Sequence, residues 1–501
     1  MKVLLAGYNV DTEVIKELSK NSDRKDITPE TLSASYARIS RDPKPVDELR
    51  ALARSEVEKA RRSNRNIIFG MGHHSVAEHA VFNFDIIGVS RLAIEEIEKF
   101  RLCSFTEKSQ RYIKLERDFV IPEEIKKTKF ERDFIDTVHL QNDFYHKVYE
   151  KLYELVFKKH ADLAKDKKNY RMLEGWAKED VRYIASLATE GQLGMTINAR
   201  NLEFLFRRFA SHELAEIRDL GNKMFSLVEK IAPSIILFTK ANDYDQKTYG
   251  ELRELTSDML SHKSKAKNQK TEVELVDYTP DADDKVVASL IHTSSNIPFD
   301  DCLNQVKKMK LEEKKKVILT ACQHMELYDA VLREFEYVNL TYNLTLSSAC
   351  FGQLKRHRIA SITSQRYNPE LGITIPESIK EINMDKEFGE IADKSAKVYG
   401  KIVKSLPVPA QYILTNAHRK RVLMRVNARE LYHISRLRED AAAQWDIRRL
   451  TGEMAKLAKK IMPLTMIFIG GKDSYPKIYE EVYGHPPKVI KAESPDEKFV
   501  A

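Results

Sequence analysis

The chain has 501 residues, of which 42% are hydrophobic and 32% are charged, and its formal net charge is +8. This apolar content excludes an intrinsically disordered chain, and the length fits about two to four domains of ordinary size. No stretch reaches the ~18 uninterrupted apolar residues that a membrane-spanning helix needs, so no membrane partner is predicted. The mild charge permits a polyanionic ligand without requiring one, and no nucleic-acid partner is predicted.

The cysteines carry no spacing that indicates a disulfide framework or a zinc ribbon, because no C-x-x-C pair occurs. They are Cys103, Cys302, Cys322 and Cys350. Scattered thiols of this kind fit a reducing compartment, and a cytoplasmic location is predicted. The histidines His73, His74 and His79 lack the i, i+4 spacing of a zinc-binding helix, so no metal site is predicted.

Strands and helices are predicted in the same order in both halves of the chain. MKVLLAGYNVD at residue 1 predicts a first strand, Ala80–Val89 alternates as a half-buried strand, and Ser90–Arg101 changes to helical spacing. Further helices are predicted at Lys147–Phe157, Asp180–Ala188 and Asn201–Phe225. In the second half VELVDYTPDAD restarts a strand, Thr341–Arg358 repeats the strand-then-helix order, and helices follow at Asp385–Lys404 and Glu430–Ile461. These elements predict an α+β fold.

Three short peptides recur in the same order and indicate an internal duplication. They are SQRY at Ser109–Tyr112 and Ser364–Tyr367, NAR at Asn198–Arg200 and Asn427–Arg429, and IAPSIILFTK from Ile231 with IMPLTMIFIG from Ile461. The polar, lysine-rich stretch HKSKAKNQKT has the composition of a linker. We therefore predict a first domain at 1–262, a linker at 263–271 and a second domain at 272–501.

The densest cationic cluster is Arg356-His357-Arg358. Arginine suits an anion site because its planar fork donates two hydrogen bonds to one phosphate or carboxylate. Ser364 and Arg366 follow on a predicted loop and offer further donors. A solvated basic helix end, favourable to the helix dipole, is the alternative reading of the same three residues.

The motifs around this cluster resemble those of the flavin-dependent thymidylate synthases, the ThyX family. The second half carries Gln353, R-H-R, a serine-rich loop ending in S-x-R-Y, and NARELYHISRLREDAAAQWDIR at Asn427–Arg448. The first half carries GHHSVAEHAVFNFDIIGVSR at Gly72–Arg91, then SFTEKSQRYIKL and INARNLEFLFRR. The resemblance implies two tandem ThyX-like α+β domains, each a small mixed or antiparallel sheet packed with long helices.

The resemblance also implies a chemistry. Members of the family methylate dUMP to dTMP with carbon from methylenetetrahydrofolate and a hydride from FAD, which NADPH reduces, and they use no catalytic cysteine. Such an enzyme is an FAD-dependent methyltransferase of nucleotide biosynthesis, and its ligand is a dUMP-like nucleotide. Because the family is typically tetrameric, a homodimer of tandem chains is expected here.

Site residues follow from the resemblance, position by position. The catalytic set would be Arg356, His357, Arg358 and Arg208. The cofactor-binding set would be Arg356, His357, Arg358, Asn198, Arg200, His73, Ser75, Asn427 and Arg429. The substrate-binding set would be Gln353, Ser364, Arg366, Arg182, Arg208, Glu107, Ser109, Arg111 and Arg438.

The motifs have decayed unequally between the halves. In the first half the R-H-R positions read Lys99-Phe100-Arg101, and Glu96 replaces the glutamine. In the second half the loop before SQRY is two residues shorter, G-H-x-S is missing, and Gln411 stands where the first half has Arg182. We therefore expect one working composite site, in which R-H-R of the second half meets Arg182, Asn198, Arg200 and Arg208 of the first half. The reciprocal site would be a relic.

Two other functions are compatible with the sequence. A non-catalytic paralogue that binds flavin or a nucleotide is favoured by the shortened loop and by Lys99-Phe100. A flavoenzyme acting on another pyrimidine is favoured by the same loop, because that loop would contact the base.

Overall fold

Two small antiparallel sheets organise the protein. The computed structural model describes residues 1–11, 14, 27–38, 42–260 and 271–488. Within these ranges each sheet has four strands, in the orders β1-β2-β4-β3 and β5-β6-β8-β7. The strands are β1 Lys2–Tyr8, β2 Val81–Ser90, β3 Cys103–Glu107, β4 Glu190–Asn198, β5 Val273–Tyr278, β6 Asn339–Ser347, β7 Ser361–Ser364 and β8 Arg419–Asn427. The equal strand orders and the surrounding helices confirm two tandem α+β domains.

Helices account for most of the remaining described residues. The α-helices are α1 Glu30–Arg38, α2 Val46–Ser55, α3 Val57–Arg65, α4 Arg91–Ile97, α5 Glu131–Lys159, α6 Tyr170–Val181, α7 Ala199–Ala210, α8 Ala215–Val228, α9 Asp243–Leu260, α10 Ala282–Thr293, α11 Phe299–Val306, α12 Leu311–Cys322, α13 Ser348–Leu354, α14 Glu377–Glu381, α15 Asp385–Ile402, α16 Ala428–Arg438, α17 Trp445–Ile461 and α18 Tyr475–Tyr483. Short π or 3₁₀ turns lie at Asn66–Gly70, His74–His79, Leu163–Lys165, Lys167–Asn169, Arg182–Ile184, Arg333–Tyr337, Pro369–Leu371 and Pro409–Ile413. Across the described ranges, every helix is too short or too polar to cross a membrane.

The strands form where apolar residues alternate with polar ones, as predicted. Phe82, Phe84 and Ile86 of β2 are buried, whereas the intervening Asn83 and Asp85 face solvent. The central strands of the second sheet repeat this alternation, with buried residues Leu340, Tyr342, Leu344, Val422, Met424 and Val426. Since side chains alternate across a strand, one face of each sheet is buried and the other is largely exposed to solvent.

Two long predicted helices are in fact broken. The predicted helix Asn201–Phe225 is α7 and α8, and the predicted helix Glu430–Ile461 is α16 and α17. Apolar residues lie on both sides of each break, so hydrophobic spacing by itself predicted a single helix in each case. The predicted helix Asp180–Ala188 was also wrong, because α6 ends at Val181 and a short 3₁₀ turn follows.

Equivalent serines begin the two helices that lead to the R-H-R positions. Ser90 caps α4, and its hydroxyl donates to Oε2 of Glu216 over 2.7 Å. Ser347 caps α13, and its hydroxyl donates to Oδ2 of Asp446 over 2.8 Å. In both units a buried carboxylate on the helix that follows the NAR helix, α8 or α17, thus fixes the start of the helix that leads to the R-H-R positions.

The chain divides into two compact units. The N-terminal unit holds the described residues up to 260 together with Ile375–Ala417, and the C-terminal unit holds those from 271 to Thr374 and from His418 onward. Within the N-terminal unit the amide of Gln141 donates to Oγ of Ser395 over 2.8 Å, which ties α5 to α15. The linker predicted at 263–271 lies outside the described residues apart from Thr271, and the boundaries 1–262 and 272–501 stay a prediction.

Candidate functional site

The R-H-R segment of the C-terminal unit follows directly on α13, and its central residue is turned into the protein. His357 is only 3% exposed, whereas Arg356 and Arg358 on either side are partly exposed. The backbone amides of His357 and Arg358 donate to the carbonyls of Leu354 and Arg356, which closes a tight turn at the helix end. The turn separates the two arginines from the imidazole between them.

His357 is fixed by two residues of α16. The Nε of Arg438 donates to Nε2 of His357 over 2.9 Å, and Nδ1 of His357 lies 3.7 Å from Oε1 of Glu430. Burial, together with the positive charge of Arg438, holds the pKa of His357 well below its ordinary value. The ring is therefore neutral near pH 7, and the charge of the segment lies on its arginines.

The loop after the R-H-R segment includes the short edge strand β7. Ser364 ends this strand and is exposed, Arg366 is partly exposed, and Tyr367 is buried. The ammonium group of Lys420 lies 4.4 Å from the ring centroid of Tyr367 and 3.5 Å from that of Phe351. This buried cation holds the loop against α13 through both rings.

Gln353, the predicted pyrimidine-binding residue, is buried on α13. Its Nε2 donates to Oε1 of Gln444 over 3.3 Å. Its own carbonyl oxygen is buried and has no hydrogen-bond partner among the described residues. Buried polar atoms are rarely left unpaired, so this oxygen is a candidate ligand contact.

The NAR motif of the C-terminal unit has local structural contacts. The side chain of Asn427 caps α16 by accepting from the amide of Glu430 over 2.7 Å. Arg429 donates to the carbonyl of Val331 over 2.8 Å and pairs with Glu336 at 3.1 Å. The motif thus begins the helix that carries Glu430 and Arg438 to His357.

The degenerate segment of the N-terminal unit makes different contacts. Lys99 pairs with Glu96 at 2.6 Å, and Arg101 is exposed. Phe100 packs its ring edge-on against Phe204 and Phe209 of α7, at centroid distances of 5.8 and 5.7 Å. Where the other repeat has a neutral imidazole held by polar partners, this one has an aromatic cluster.

The residue at the glutamine position of the N-terminal unit is an ionised carboxylate. Burial acts to raise the pKa of Glu96, but Lys99 and His212 outweigh it and the pKa is lowered. The Nε2 of His212 lies 3.2 Å from the Glu96 carboxylate. An ionised carboxylate accepts hydrogen bonds only, so it cannot replace the donor function of a glutamine amide.

Several predicted nucleotide-binding groups of the N-terminal unit contact other groups of the same unit. Glu107 lies 3.5 Å from Arg91, and Ser109 accepts from the backbone amide of Arg111 over 3.2 Å. The Arg111 guanidinium pairs with Glu179 at 2.6 Å. Glu107 and Arg111 thus both belong to a polar network within the unit, each paired with an oppositely charged residue.

Arg182 lies beside that network and is 8% exposed. Its Nε donates to the carbonyl of Glu179 over 3.2 Å, but its Nη2 is buried and has no hydrogen-bond partner in the described part of the chain. Burial lowers the pKa of Arg182 from its ordinary value. The equivalent residue of the other repeat, Gln411, is buried and lies in the same unit because it belongs to Ile375–Ala417.

The NAR helix of the N-terminal unit begins as its counterpart does. The side chain of Asn198 caps α7 by accepting from the amide of Asn201 over 3.0 Å, and Arg200 pairs with Glu78 at 2.5 Å. His73 and Ser75 are exposed around the 3₁₀ turn at His74–His79.

The two arginines near the end of α7 share one acidic partner. Arg207 lies 2.9 Å and Arg208 3.6 Å from the carboxylate of Asp245, whose side chain is fully buried. Asp245 belongs to α9, so this pair of contacts joins the two helices. The predicted catalytic Arg208 therefore has a carboxylate partner within its own unit.

One feature of the predicted composite site is wrong, namely that each R-H-R-type segment lies away from the NAR helix of its own repeat. Instead His357 contacts Arg438 of its own repeat, and Phe100 packs on Phe204 and Phe209 of its own repeat. The physical reason is that the capped α13 and α4 end directly beside these helices.

Three residues that shape this region were not predicted from the sequence. Glu430 and Gln444 lie inside the motif Asn427–Arg448, but no contact was predicted for them, and no role was predicted for Lys420. Gln444 could have been predicted as a helix N-cap, because it immediately precedes the helical apolar spacing that becomes α17. Nothing in the sequence indicated that Lys420 is buried.

The fold is a duplicated α+β unit, in which one repeat has an intact R-H-R segment and the other reads Lys99-Phe100-Arg101 at the same positions. The profile of the family described as thymidylate synthase complementing protein matches residues 25–234 and 274–464. The chain therefore belongs to this family, which is also known as ThyX.

Individual relatives fall into two groups. A protein named flavin-dependent thymidylate synthase from Clostridium tetani is 34% identical over 215 residues, covering 42% of this chain and 82% of the relative. A UPF0159 protein of Chlamydia muridarum is 24% identical over 434 residues, covering 82% of this chain and 81% of the relative. A UPF0159 protein of Thermoplasma acidophilum is 24% identical over 480 residues, covering 86% of this chain and 92% of the relative.

A solved structure was also matched. The flavin-dependent thymidylate synthase ThyX from Helicobacter pylori, complexed with FAD and dUMP, is 19% identical to this chain. The match covers 48% of this chain and 100% of that one, with a TM-score of 0.29.

Proposed function

We propose that this protein is a flavin-dependent thymidylate synthase whose active site is built around the R-H-R segment of the C-terminal unit. The reaction is the reductive methylation of dUMP to dTMP with methylenetetrahydrofolate and NADPH. Family membership and the relative named flavin-dependent thymidylate synthase support this reaction class. The proposed location is cytoplasmic, and the proposed assembly is a homodimer of tandem chains.

The observation that carries the proposal is the anchoring of His357 between Arg438 and Glu430. Because both contacts fix the imidazole inside the protein, Arg356 and Arg358 are held as partly exposed cations on either side of it. Two cations fixed by a rigid turn bind an anion with less loss of side-chain freedom than two mobile ones would. This geometry suits the phosphate groups of a dinucleotide or nucleotide.

The residues present fit FAD and a pyrimidine nucleotide. Arginine forks match phosphate oxygens, and the buried, unpartnered carbonyl oxygen of Gln353 offers an acceptor to a base. Arg356, Arg358 and Asn427 would hold FAD, which when bound supplies the hydride. Gln353, Ser364, Arg366 and Arg438 would bind the pyrimidine nucleotide. The nearby arginines would favour negative charge on the pyrimidine ring by fixed electrostatics, without a covalent nucleophile.

A second candidate function is a non-catalytic protein that binds flavin or a nucleotide. The observation that favours it is the neutralisation of Arg111 by Glu179 and of Arg208 by Asp245, which removes cations from the N-terminal unit. A flavoenzyme for another pyrimidine is a related candidate, favoured by the short loop at β7.

The test is the visible absorption spectrum of the purified protein, followed by an activity assay. Bound flavin together with NADPH oxidation that depends on dUMP is the result expected of the enzyme. Bound flavin without dUMP-dependent oxidation would favour the binding protein or the altered substrate. A colourless protein that added FAD does not reconstitute would overturn the proposal.

A further inference from the structure

Gln444 is the first fixed point of a hydrogen-bond chain that ends at Gln353. It is fully buried at the start of α17, and its Oε1 accepts from the backbone amide of Ile447 at 3.5 Å. The free amides at a helix N-terminus attract an oxygen and repel an NH₂ group. The orientation of the Gln444 side-chain amide is therefore set by the helix that it caps.

That orientation in turn sets Gln353. The Nε2 of Gln353 donates to Oε1 of Gln444 over 3.3 Å. If the Gln353 amide were flipped, its carbonyl oxygen would face the carbonyl oxygen of Gln444, with no hydrogen between them. The carbonyl oxygen of Gln353 must therefore point away from α17, and it is this atom that is buried without a partner among the described residues.

A buried acceptor without a donor is unfavourable, and a ligand N–H that reaches it removes that penalty. A group that presents a lone pair at the same place instead adds repulsion. The Gln353 carbonyl oxygen thus distinguishes ligands that present a hydrogen-bond donor from ligands that do not. Such a contact discriminates between ligands more strongly than apolar contacts do.

We propose that Gln444 is a positioning residue that presents the Gln353 carbonyl oxygen as an acceptor for the imino N–H of a pyrimidine. The inference rests on the proposed function and deepens it, because it selects the base. Uracil carries a hydrogen on N3, whereas cytosine has a lone pair there, so the site selects a uracil nucleotide over a cytosine nucleotide.

The N-terminal unit lacks this device. Its counterpart of Gln353 is Glu96, which pairs with Lys99 at 2.6 Å and faces His212 at 3.2 Å. Lys99 and His212 are thus hydrogen-bond donors to the Glu96 carboxylate, and this position has no glutamine amide whose orientation could be fixed. Base selection of this kind is therefore confined to the C-terminal unit.

The experiment is isothermal titration of FAD-loaded full-length protein with dUMP and with dCMP. In the unsubstituted protein dUMP is expected to bind at least about ten-fold more tightly than dCMP. Gln444→Ser keeps a helix-capping oxygen but is too short to reach Gln353, and it is expected to reduce that preference to about two-fold. Gln444→Glu keeps an oxygen for both partners and is expected to retain the preference.

The outcomes separate the inference from the function on which it rests. If Gln444→Ser binds dUMP over dCMP as strongly as the unsubstituted protein does, the positioning role is overturned while the proposed function stands. If the unsubstituted protein binds neither nucleotide, both are overturned. Should the serine variant lose its melting transition, Gln444→Asn, a second short capping residue, takes its place in the same comparison.

Discussion

Arg438 donates a hydrogen bond from Nε to Nε2 of His357 over 2.9 Å. A ring nitrogen that accepts carries no hydrogen, so the proton of the neutral imidazole lies on Nδ1, which faces Glu430 at 3.7 Å. A protonated His357 would place a second positive charge beside Arg438 in a buried position. The middle residue of R-H-R is therefore a neutral anchor, and the two arginines supply the charge.

Acidification is expected to destabilise the protein in part through His357. The pKa of His357 in the folded state lies well below 6.5, so between that value and about 6.5 the unfolded chain binds a proton that the folded chain does not. This contribution to stability is complete above about pH 6.5 and is lost as the pH falls. Melting temperatures measured from pH 7.5 to pH 5.5 should fall less steeply for His357→Gln than for the unsubstituted protein.

The control for this measurement is His324→Gln, which removes an exposed histidine of the same unit. Its melting temperature should follow pH as that of the unsubstituted protein does. If the melting temperature of His357→Gln fell with pH as steeply as those of the unsubstituted protein and of His324→Gln, a neutral, buried His357 would be contradicted.

Restoring the lost motif in the N-terminal unit is expected to fail. Lys99→Arg combined with Phe100→His rebuilds R-H-R in sequence, but it removes Phe100 from its contacts with Phe204 and Phe209. Each aromatic contact contributes about 0.5–1.5 kcal/mol beyond burial, so the free energy of unfolding should fall by roughly 1–3 kcal/mol. Flavin stoichiometry, measured by absorbance per chain, should not rise. A doubled stoichiometry would mean that the N-terminal unit still holds a competent site.

Much of the fold was predictable, because alternating and helical apolar spacing are local properties. Strand β2 and helix α15 were found this way. The packing of Ile375–Ala417 into the N-terminal unit was not, because an amphipathic pattern identifies a buried face but not the partner that covers it. The same limit applies to the site: R-H-R reads as three adjacent cationic groups, and only the tertiary contacts of His357 reveal that the middle one is neutral.

The two R-H-R-type segments should differ in flavin binding. Arg358→Ala removes a charged donor from the C-terminal unit, and since hydrogen bonds to charged groups contribute about 1.5–3 kcal/mol, FAD affinity should fall by at least about ten-fold. Arg101→Ala, the matched change at the exposed counterpart, should leave affinity within about two-fold. Quenching of FAD fluorescence on titration measures both. Equal losses in the two variants would contradict a single site in the C-terminal unit.

The loop that follows R-H-R is held differently in the two units. In the C-terminal unit Tyr367 is 1% exposed and lies against Lys420. In the N-terminal unit Tyr112 is 59% exposed, and the strand position that matches Lys420 is Gly191, where an added Cβ would lie 2.6 Å from the side chain of Ile94. Of the two matching strand positions, only the one in the unit with the intact R-H-R segment carries a lysine, Lys420, that contacts the loop tyrosine.

Lys420→Met is expected to loosen this loop while leaving the sheet formed. Methionine has a similar volume, but it loses the attraction to the rings of Phe351 and Tyr367, which is worth about 2 kcal/mol for a desolvated cation. Amides of the loop around Tyr367 should therefore exchange with deuterium roughly ten-fold or more faster, and FAD affinity should fall with them. Arg421→Met, the next residue along β8 and on the opposite face of the sheet, is the matched control and should leave loop exchange unchanged. Equal acceleration in the two variants would indicate a general weakening of β8 and would remove Lys420 from any specific role in positioning the loop.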